Sequence, residues 1–218
     1  MTIENLQKTN LPNRDKSREM IEKEIQEKLK LYHTTTKEKW EKIQEVGAIL
    51  SERELVKRGL ITTTQLDDFE TTSTGHMDRE ENRDDYVFAS HQKENYGDVT
   101  LEIDLEALNI PEAKVSTAGE WLMFADTEEA KQYYQDQEIP ASQFISYLTE
   151  FLQTLPDTEW FWEIKNKEVR DFFGQAMKDR AYNNNDEKFR AYWKLHPEIL
   201  FPKELPLKYI KQAIIDEQ

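Results

Sequence analysis

The chain has 218 residues, of which 37% are hydrophobic and 33% are charged, and its formal net charge is −15. This composition supplies enough apolar side chains for a core and excludes a disordered chain, while the negative charge argues against passive nucleic-acid binding because a polyanion is repelled. The absence of cysteine excludes a disulfide framework, a catalytic thiolate and a cysteine-ligated zinc site.

A helix and a short strand are predicted at the start of the chain. Apolar residues at helical spacing indicate a helix between Asp15 and Lys30, with Asp15 or Ser17 as its N-cap. Leu31–His33 then reads as a short strand that ends on a histidine. This N-terminal stretch lacks the apolar run of a signal peptide, and no segment reaches the roughly 18–20 apolar residues of a membrane span. We therefore expect a soluble, cytoplasmic protein without a membrane partner.

A second helix is predicted directly after this strand. Thr36 is a suitable N-cap and Gly47 is a suitable residue just past the C-terminus, so the helix should lie between them. Its apolar face is expected to bury Trp40, Ile43 and Val46.

The middle of the chain combines a long polar loop with three predicted strands. Residues 62–85 show almost no apolar periodicity, and a loop of that length in a compact domain is usually functional or mobile. The strands are expected at Tyr86–Ala89, Val99–Leu105 and Glu120–Phe124. In the second strand apolar and polar residues alternate, which predicts one buried face.

Beyond residue 140 the apolar residues recur at helical spacing and give no strand signal. The predicted helical segments are Phe144–Leu152, Trp160–Met177, Phe189–Leu195 and Leu207–Ile215. We therefore predict an α+β protein with two parts. Residues 1–140 would form an N-terminal helix and a mixed core, and residues 141–218 a helical C-terminal part packed on that core.

Four short motifs occur in a characteristic order. They are Tyr32-His33-Thr34-Thr35, the helix end Ile43–Gly47, the strand Tyr86–Ser90 followed by Asn95-Tyr96-Gly97, and Glu120-Trp121-Leu122. Over about residues 31–140 the chain thereby resembles the His-Tyr-Glu branch of the ADP-ribosyltransferase superfamily. This branch contains diphtheria toxin, the poly(ADP-ribose) polymerases and bacterial toxins that modify protein or nucleic acid. The resemblance implies a split antiparallel β-sheet core with helices.

The resemblance also assigns roles to the polar residues of these motifs. Glu120 would be the catalytic carboxylate, which stabilises the oxocarbenium-like ribose and directs the acceptor. His33 would hydrogen-bond the ribose and hold it in a reactive pose. The backbone of Thr34 and the hydroxyl of Thr35 would hold the nicotinamide carboxamide. No metal is implied.

The aromatic residues of the motifs would bind the cationic nicotinamide ring. The resemblance gives this role to Tyr96. On the preceding strand either Tyr86 or Phe88 could be the active-site aromatic, because the two residues share strand parity.

The expected activity is that of a mono-ADP-ribosyltransferase acting as a toxin or effector. NAD would be consumed as a substrate, nicotinamide would leave, and ADP-ribose would pass to a macromolecule, either protein or nucleic acid. A neutralising antitoxin or immunity protein is an expected partner of such a toxin. Two alternatives stay open, namely an NAD glycohydrolase and a catalytically inactive interaction protein with the same fold.

Overall fold

The computed structural model describes residues 17–62, 83–91, 97–116, 138–153 and 197–215. The chain divides into two compact units, each built from segments that are distant in sequence. One unit comprises Met1–Leu29 and Gln143–Leu195, and the other comprises Lys30–Ser142 and His196–Gln218.

The described elements are numbered here in chain order. The helices are α1 (Arg18–Lys28), α2 (Lys37–Val46), α3 (Glu52–Lys57) and α4 (Phe144–Gln153). The strands are β1 (Leu31–Thr35), β2 (Ala48–Leu50), β3 (Tyr86–Ser90), β4 (Val99–Ile103), β5 (Lys114–Ser116), β6 (Glu138–Pro140), β7 (Glu198–Pro202), β8 (Glu204–Pro206) and β9 (Ile210–Ile215). The protein is therefore of the α+β class.

In the first unit, α1 and α4 pack against each other. The side chain of Ser17 accepts a hydrogen bond from the Met20 amide and caps α1, so the predicted helix and one of its two candidate caps are confirmed. Arg18 donates from its guanidinium to Ser146 Oγ of α4 at 2.7 Å. Of the apolar residues that predicted these helices, Ile21, Ile25, Phe144, Leu148 and Leu152 are fully buried, whereas Met20 is exposed.

The second unit is organised by a seven-stranded sheet with the order β6-β5-β7-β3-β1-β4-β9. Each of its described pairings is antiparallel, and β2 and β8 form a separate antiparallel pair. Opposite residues of antiparallel strands share a face, so the register divides the sheet residues into two sets. The first set contains His33 and Thr35 together with apolar residues that are almost fully buried, namely Leu31, Val87, Ala89, Val99, Leu101, Ile103, Val115, Ile199 and Phe201. The opposite face contains Tyr32, Tyr86, Phe88, Ser90 and Glu198.

The prediction that β4 buries one face is wrong, because both of its faces are buried. Thr100 is 0% exposed and Glu102 is 7% exposed. Glu102 tolerates this position because Lys30 Nζ donates to Oε1 at 2.8 Å and Gln212 Nε2 donates to Oε2 at 2.7 Å. The strand also ends earlier than expected, since Leu105 begins a 3₁₀ helix that ends at Asn109.

The prediction of a helical C-terminal part is wrong for residues 198–215, which form β7, β8 and β9. The helix expected over Leu207–Ile215 is replaced by a 3₁₀ turn, Leu207–Tyr209, and by β9. The physical reason is pairing, because β9 joins β4 along its length and β7 fills the position between β5 and β3. The segments predicted over Trp160–Met177 and Phe189–Leu195 lie outside the described residues.

Candidate functional site

The centre of the sheet opens at the junction of β1 and β3. β1 pairs with β4 along its whole length, but it pairs with β3 at a single position, Tyr32 opposite Ser90. Beyond this pair the imidazole of His33 reaches across the junction, and its Nδ1 lies 2.8 Å from the carbonyl oxygen of Phe88. A carbonyl oxygen only accepts, so Nδ1 carries the proton and a neutral ring presents Nε2 as an acceptor. Within the described part of the chain, Nε2 has no hydrogen-bond partner.

The surroundings of His33 favour the neutral imidazole. Burial lowers the pKa of His33, the hydrogen bond to Phe88 partly opposes this shift, and the nearby positive charge of Lys39 lowers the pKa further. The ring is therefore an oriented hydrogen-bond acceptor at neutral pH rather than a cation.

The end of β1 is fixed by a close backbone approach. Thr34 is half-buried and Thr35 is buried. A Cβ built on Gly97 would lie 2.1 Å from the carbonyl oxygen of Thr35, so only glycine fits where the chain passes β1 on its way into β4. The next residue, Asp98, accepts a hydrogen bond from the Lys37 amide at 2.8 Å and anchors the N-terminus of α2.

Tyr86 and Phe88 lie on one face of β3 and are half-buried, as their shared parity predicts. The ammonium of Lys114 lies 4.7 Å from the centre of the Tyr86 ring. The guanidinium of Arg83 lies 5.2 Å from the centre of the Phe88 ring. Both rings therefore already contact a cation of the protein. The register places these rings on the face opposite the Cβ of His33, and the link between the two sides is the hydrogen bond to the Phe88 carbonyl.

Glu198, the first residue of β7, is not among the site residues predicted from the sequence. Glu198 lies opposite Ser90 of β3 and opposite Ser116 of β5. Its carboxylate forms an ion pair with Arg83. The signal was a glutamate followed by three apolar residues, Ile199-Leu200-Phe201, which is the same pattern that drew attention to Glu120. It was overlooked because the surrounding residues favoured a helical interpretation.

Arg83 is held in place from both sides of its short 3₁₀ helix, Arg83–Asp85. Asp84 accepts two hydrogen bonds from the Arg53 guanidinium of α3, at 2.6 and 3.1 Å. The carbonyl oxygen of Asp85 accepts a hydrogen bond from the Lys203 amide at 2.7 Å. These contacts join α3, β3 and the turn after β7, and they direct Arg83 at Glu198.

Glu198 is one of seven residues, one on each strand, that lie opposite one another and form a line across a single face of the sheet. We call this line the polar row. From β6 to β9 its members are Glu138, Ser116, Glu198, Ser90, Tyr32, Glu102 and Gln212. Each of its three carboxylates has a basic partner, namely Lys114 for Glu138, Arg83 for Glu198 and Lys30 for Glu102. The polar row runs through the residue that precedes His33.

Two of the predicted site residues, Glu120 and Tyr96, lie outside the described residues, as does most of the predicted loop at 62–85. Within the described ranges no group of three or more acidic or histidine side chains is arranged to hold a metal ion. None of the helices in those ranges is long and apolar enough to span a membrane. Comparisons of the chain with protein-family models, with curated proteins and with solved structures found no match.

Proposed function

We propose that this protein is a mono-ADP-ribosyltransferase that consumes NAD and acts on a macromolecule as a toxin or effector. The observation that carries the proposal is the neutral His33 imidazole, oriented at the junction where β1 and β3 separate. The resemblance to the superfamily in the motifs around His33 gives this geometry its chemical interpretation. A sheet that opens between its central strands agrees with the split sheet that the resemblance implies.

The neutral ring suits a positioning role. Nε2 of His33 can accept a hydrogen bond from a ribose hydroxyl, and the Phe88 carbonyl fixes the orientation of the ring. An imidazolium at this position would place a second positive charge near a ribose that becomes cationic, so the lowered pKa favours the reaction. The half-buried Thr34 and the buried Thr35 follow on the same strand and would bind the nicotinamide carboxamide.

The reaction also needs a carboxylate close to the ribose. The resemblance assigns this role to Glu120, and that assignment stays a prediction because Glu120 lies outside the described residues. Under this proposal the acceptor of ADP-ribose is either a protein or a nucleic acid.

The test is nicotinamide release from NAD by the purified full-length chain, with labelled NAD and separate protein, RNA and DNA fractions as acceptors. We expect release and incorporation of label, and we expect His33→Ala to reduce release by at least about 100-fold because an oriented hydrogen bond is lost. Glu45→Gln, an exposed position on α2, is the matched control and should keep full activity.

The other outcomes discriminate between the alternatives. Release of nicotinamide without label in any fraction would indicate an NAD glycohydrolase. Calorimetry that shows no NAD binding by the folded chain would reject the enzymatic proposal and favour an interaction protein.

A further inference from the structure

We propose that Glu198 is the catalytic carboxylate of this site, with the N-glycosidic bond between nicotinamide and ribose as the bond it acts on. This inference rests on the proposed function and replaces Glu120 in that role. It follows from the position of Glu198 in the sheet, from the asymmetric exposure of its ion pair and from a buried hydroxyl beside it.

The position of Glu198 is set by strand order. β7 is the neighbour of β3 on the side away from β1, and the polar row connects Glu198 through Ser90 to Tyr32. Adjacent strands are about 4.8 Å apart, so the backbone at Glu198 lies about 10 Å from β1. The register places the Glu198 side chain on the face opposite the Cβ of His33, so a ligand of nucleotide size contacts both residues only through the gap where β1 and β3 separate beyond the Tyr32–Ser90 pair.

In the ion pair of Glu198 the carboxylate side chain is more exposed to solvent than the guanidinium side chain. The Arg83 side chain is 4% exposed, whereas the Glu198 side chain is 19% exposed. Arg83 contacts Oε2, and no described residue donates a hydrogen bond to Oε1. An incoming ligand therefore meets an acceptor oxygen, while the cation behind it fixes the orientation of the carboxylate.

The third observation is the hydroxyl of Ser116, directly opposite Glu198 on β5. Ser116 is 0% exposed, and its Oγ is buried without a hydrogen-bond partner in the part of the chain that the structure describes. Buried hydroxyls normally have a hydrogen-bond partner, so an unpaired one indicates that a bound ligand supplies the partner. On this face of the sheet that group would be a hydroxyl of the ribose held by Glu198.

The other carboxylates of the polar row are less suited to this role. Both oxygens of Glu102 already accept hydrogen bonds, from Lys30 and from Gln212. Glu138 lies on the edge strand β6, four strands away from β1, and pairs with Lys114 of β5. Glu198 combines a central position with an oxygen that has no donor among the described residues.

The chemical step balances with the groups named. The bond between ribose C1′ and the pyridinium nitrogen breaks, and its electron pair leaves with neutral nicotinamide. The carboxylate of Glu198 stabilises the positive charge that develops at C1′. The acceptor nucleophile then forms a bond to C1′ and gives its proton to the carboxylate, from which it passes to solvent. With water as the nucleophile, the product is ADP-ribose.

The experiment compares three full-length variants, Glu198→Gln, Glu138→Gln and Glu120→Gln, by nicotinamide release, NAD binding and thermal unfolding. We expect Glu198→Gln to lose at least about 100-fold in kcat while NAD binding changes by only a few-fold. Glu138→Gln removes a carboxylate with the same kind of pairing in the same row and should keep its activity within about two-fold.

Each remaining outcome has a definite meaning. Wild-type release in folded Glu198→Gln, or loss confined to Glu120→Gln, overturns this inference and leaves the proposed function standing. Absence of release by the wild-type chain overturns the proposed function and this inference together. If Glu198→Gln fails to fold, Glu198→Asp keeps the charge that pairs with Arg83 and shortens its reach, and it should fold with a comparably reduced kcat.

Discussion

Gly97 is a position at which the backbone leaves no room for a side chain. The chain runs so close to β1 that an added methyl group would overlap the carbonyl oxygen of Thr35. That oxygen belongs to a central strand and cannot move without shifting the end of β1.

We therefore expect Gly97→Ala to lower the free energy of unfolding of the sheet unit by about 3 kcal/mol, the upper end of typical overpacking costs. Chemical denaturation measures this change. Gly47→Ala is the matched control, because Gly47 has a φ of 82° but no atom within 4 Å of its added Cβ, so only the backbone cost of about 1 kcal/mol applies. Equal losses in the two variants would contradict the steric explanation.

His33 illustrates what a single residue reveals from sequence. Its type and its place after an apolar pair marked it as a candidate. The feature that gives it a defined acceptor nitrogen is the carbonyl of Phe88, 55 positions away in sequence. No local pattern specifies such a contact, since it depends on how two strands diverge.

At the scale of elements, the helix boundaries that depend on local signals were predictable. Thr36 caps α2 by accepting a hydrogen bond from the Lys39 amide, and Gly47 follows the helix with a left-handed backbone, as expected. Burial was not predictable in the same way. Trp40 and Ile43 are only half-buried, and Val46 is exposed, because burial depends on what packs against the helix rather than on its own sequence.

The strands of the C-terminal region were missed because their apolar spacing fits two structures. Leu207, Ile210 and Ile214 recur at intervals of three and four, which is typical of a helix. The β-branched residues Ile210, Ile214 and Ile215 also suit a strand, and pairing with β4 decides between the two. Partners that lie about 110 residues apart, such as Glu102 and Gln212, are invisible to a local pattern.

β4 contains a buried hydroxyl whose removal should stabilise the protein. Thr100 Oγ1 is fully buried and has no hydrogen-bond partner among the residues described. Thr100→Val keeps the shape and removes the desolvated hydroxyl, so the free energy of unfolding should rise by about 1 kcal/mol. The measurement is chemical denaturation of the sheet unit.

Thr149 of α4 provides the control for this prediction. It is equally buried, but its hydroxyl donates to the Ile145 carbonyl at 2.7 Å. Thr149→Val should therefore lower stability by about 1 kcal/mol, because a hydrogen bond is lost. If both substitutions destabilise, the Thr100 hydroxyl has a partner in solution.

At the scale of the whole molecule, each of the two units is assembled from separated segments. For the sheet unit this makes residues 196–218 part of the core rather than an appendage. β7 lies between β5 and β3, and Ile199, Leu200 and Phe201 are all fully buried.

A chain that stops after residue 195 should therefore lose the cooperative unfolding of the sheet unit and its resistance to proteolysis. The truncation removes β7, β8 and β9 and exposes the edges of the four strands that they cover, β2, β3, β4 and β5. Limited proteolysis and circular dichroism check this expectation. Addition of a synthetic peptide covering 196–218 should restore part of the protection, whereas a truncated chain that unfolds cooperatively without it would contradict the topology.

Only the part of the candidate site around His33 and Tyr86–Ser90 could be predicted from the sequence. The motif around His33 and the motif Tyr86–Ser90 are each a continuous stretch of sequence, and the structure places their strands side by side. Glu198 comes more than a hundred residues later, and only the strand order brings it next to Ser90.

The late arrival of β7 has a consequence for biosynthesis. A ribosome adds about 5–20 residues per second, so the roughly 100 residues that separate β3 from β7 take about 5–20 seconds to translate. During that interval the nascent β3 has no neighbour on one side, which makes the growing polypeptide a natural client for a chaperone. Glu198 is also absent until then, so if it acts as proposed, the NAD of the producing cell is spared while synthesis is under way.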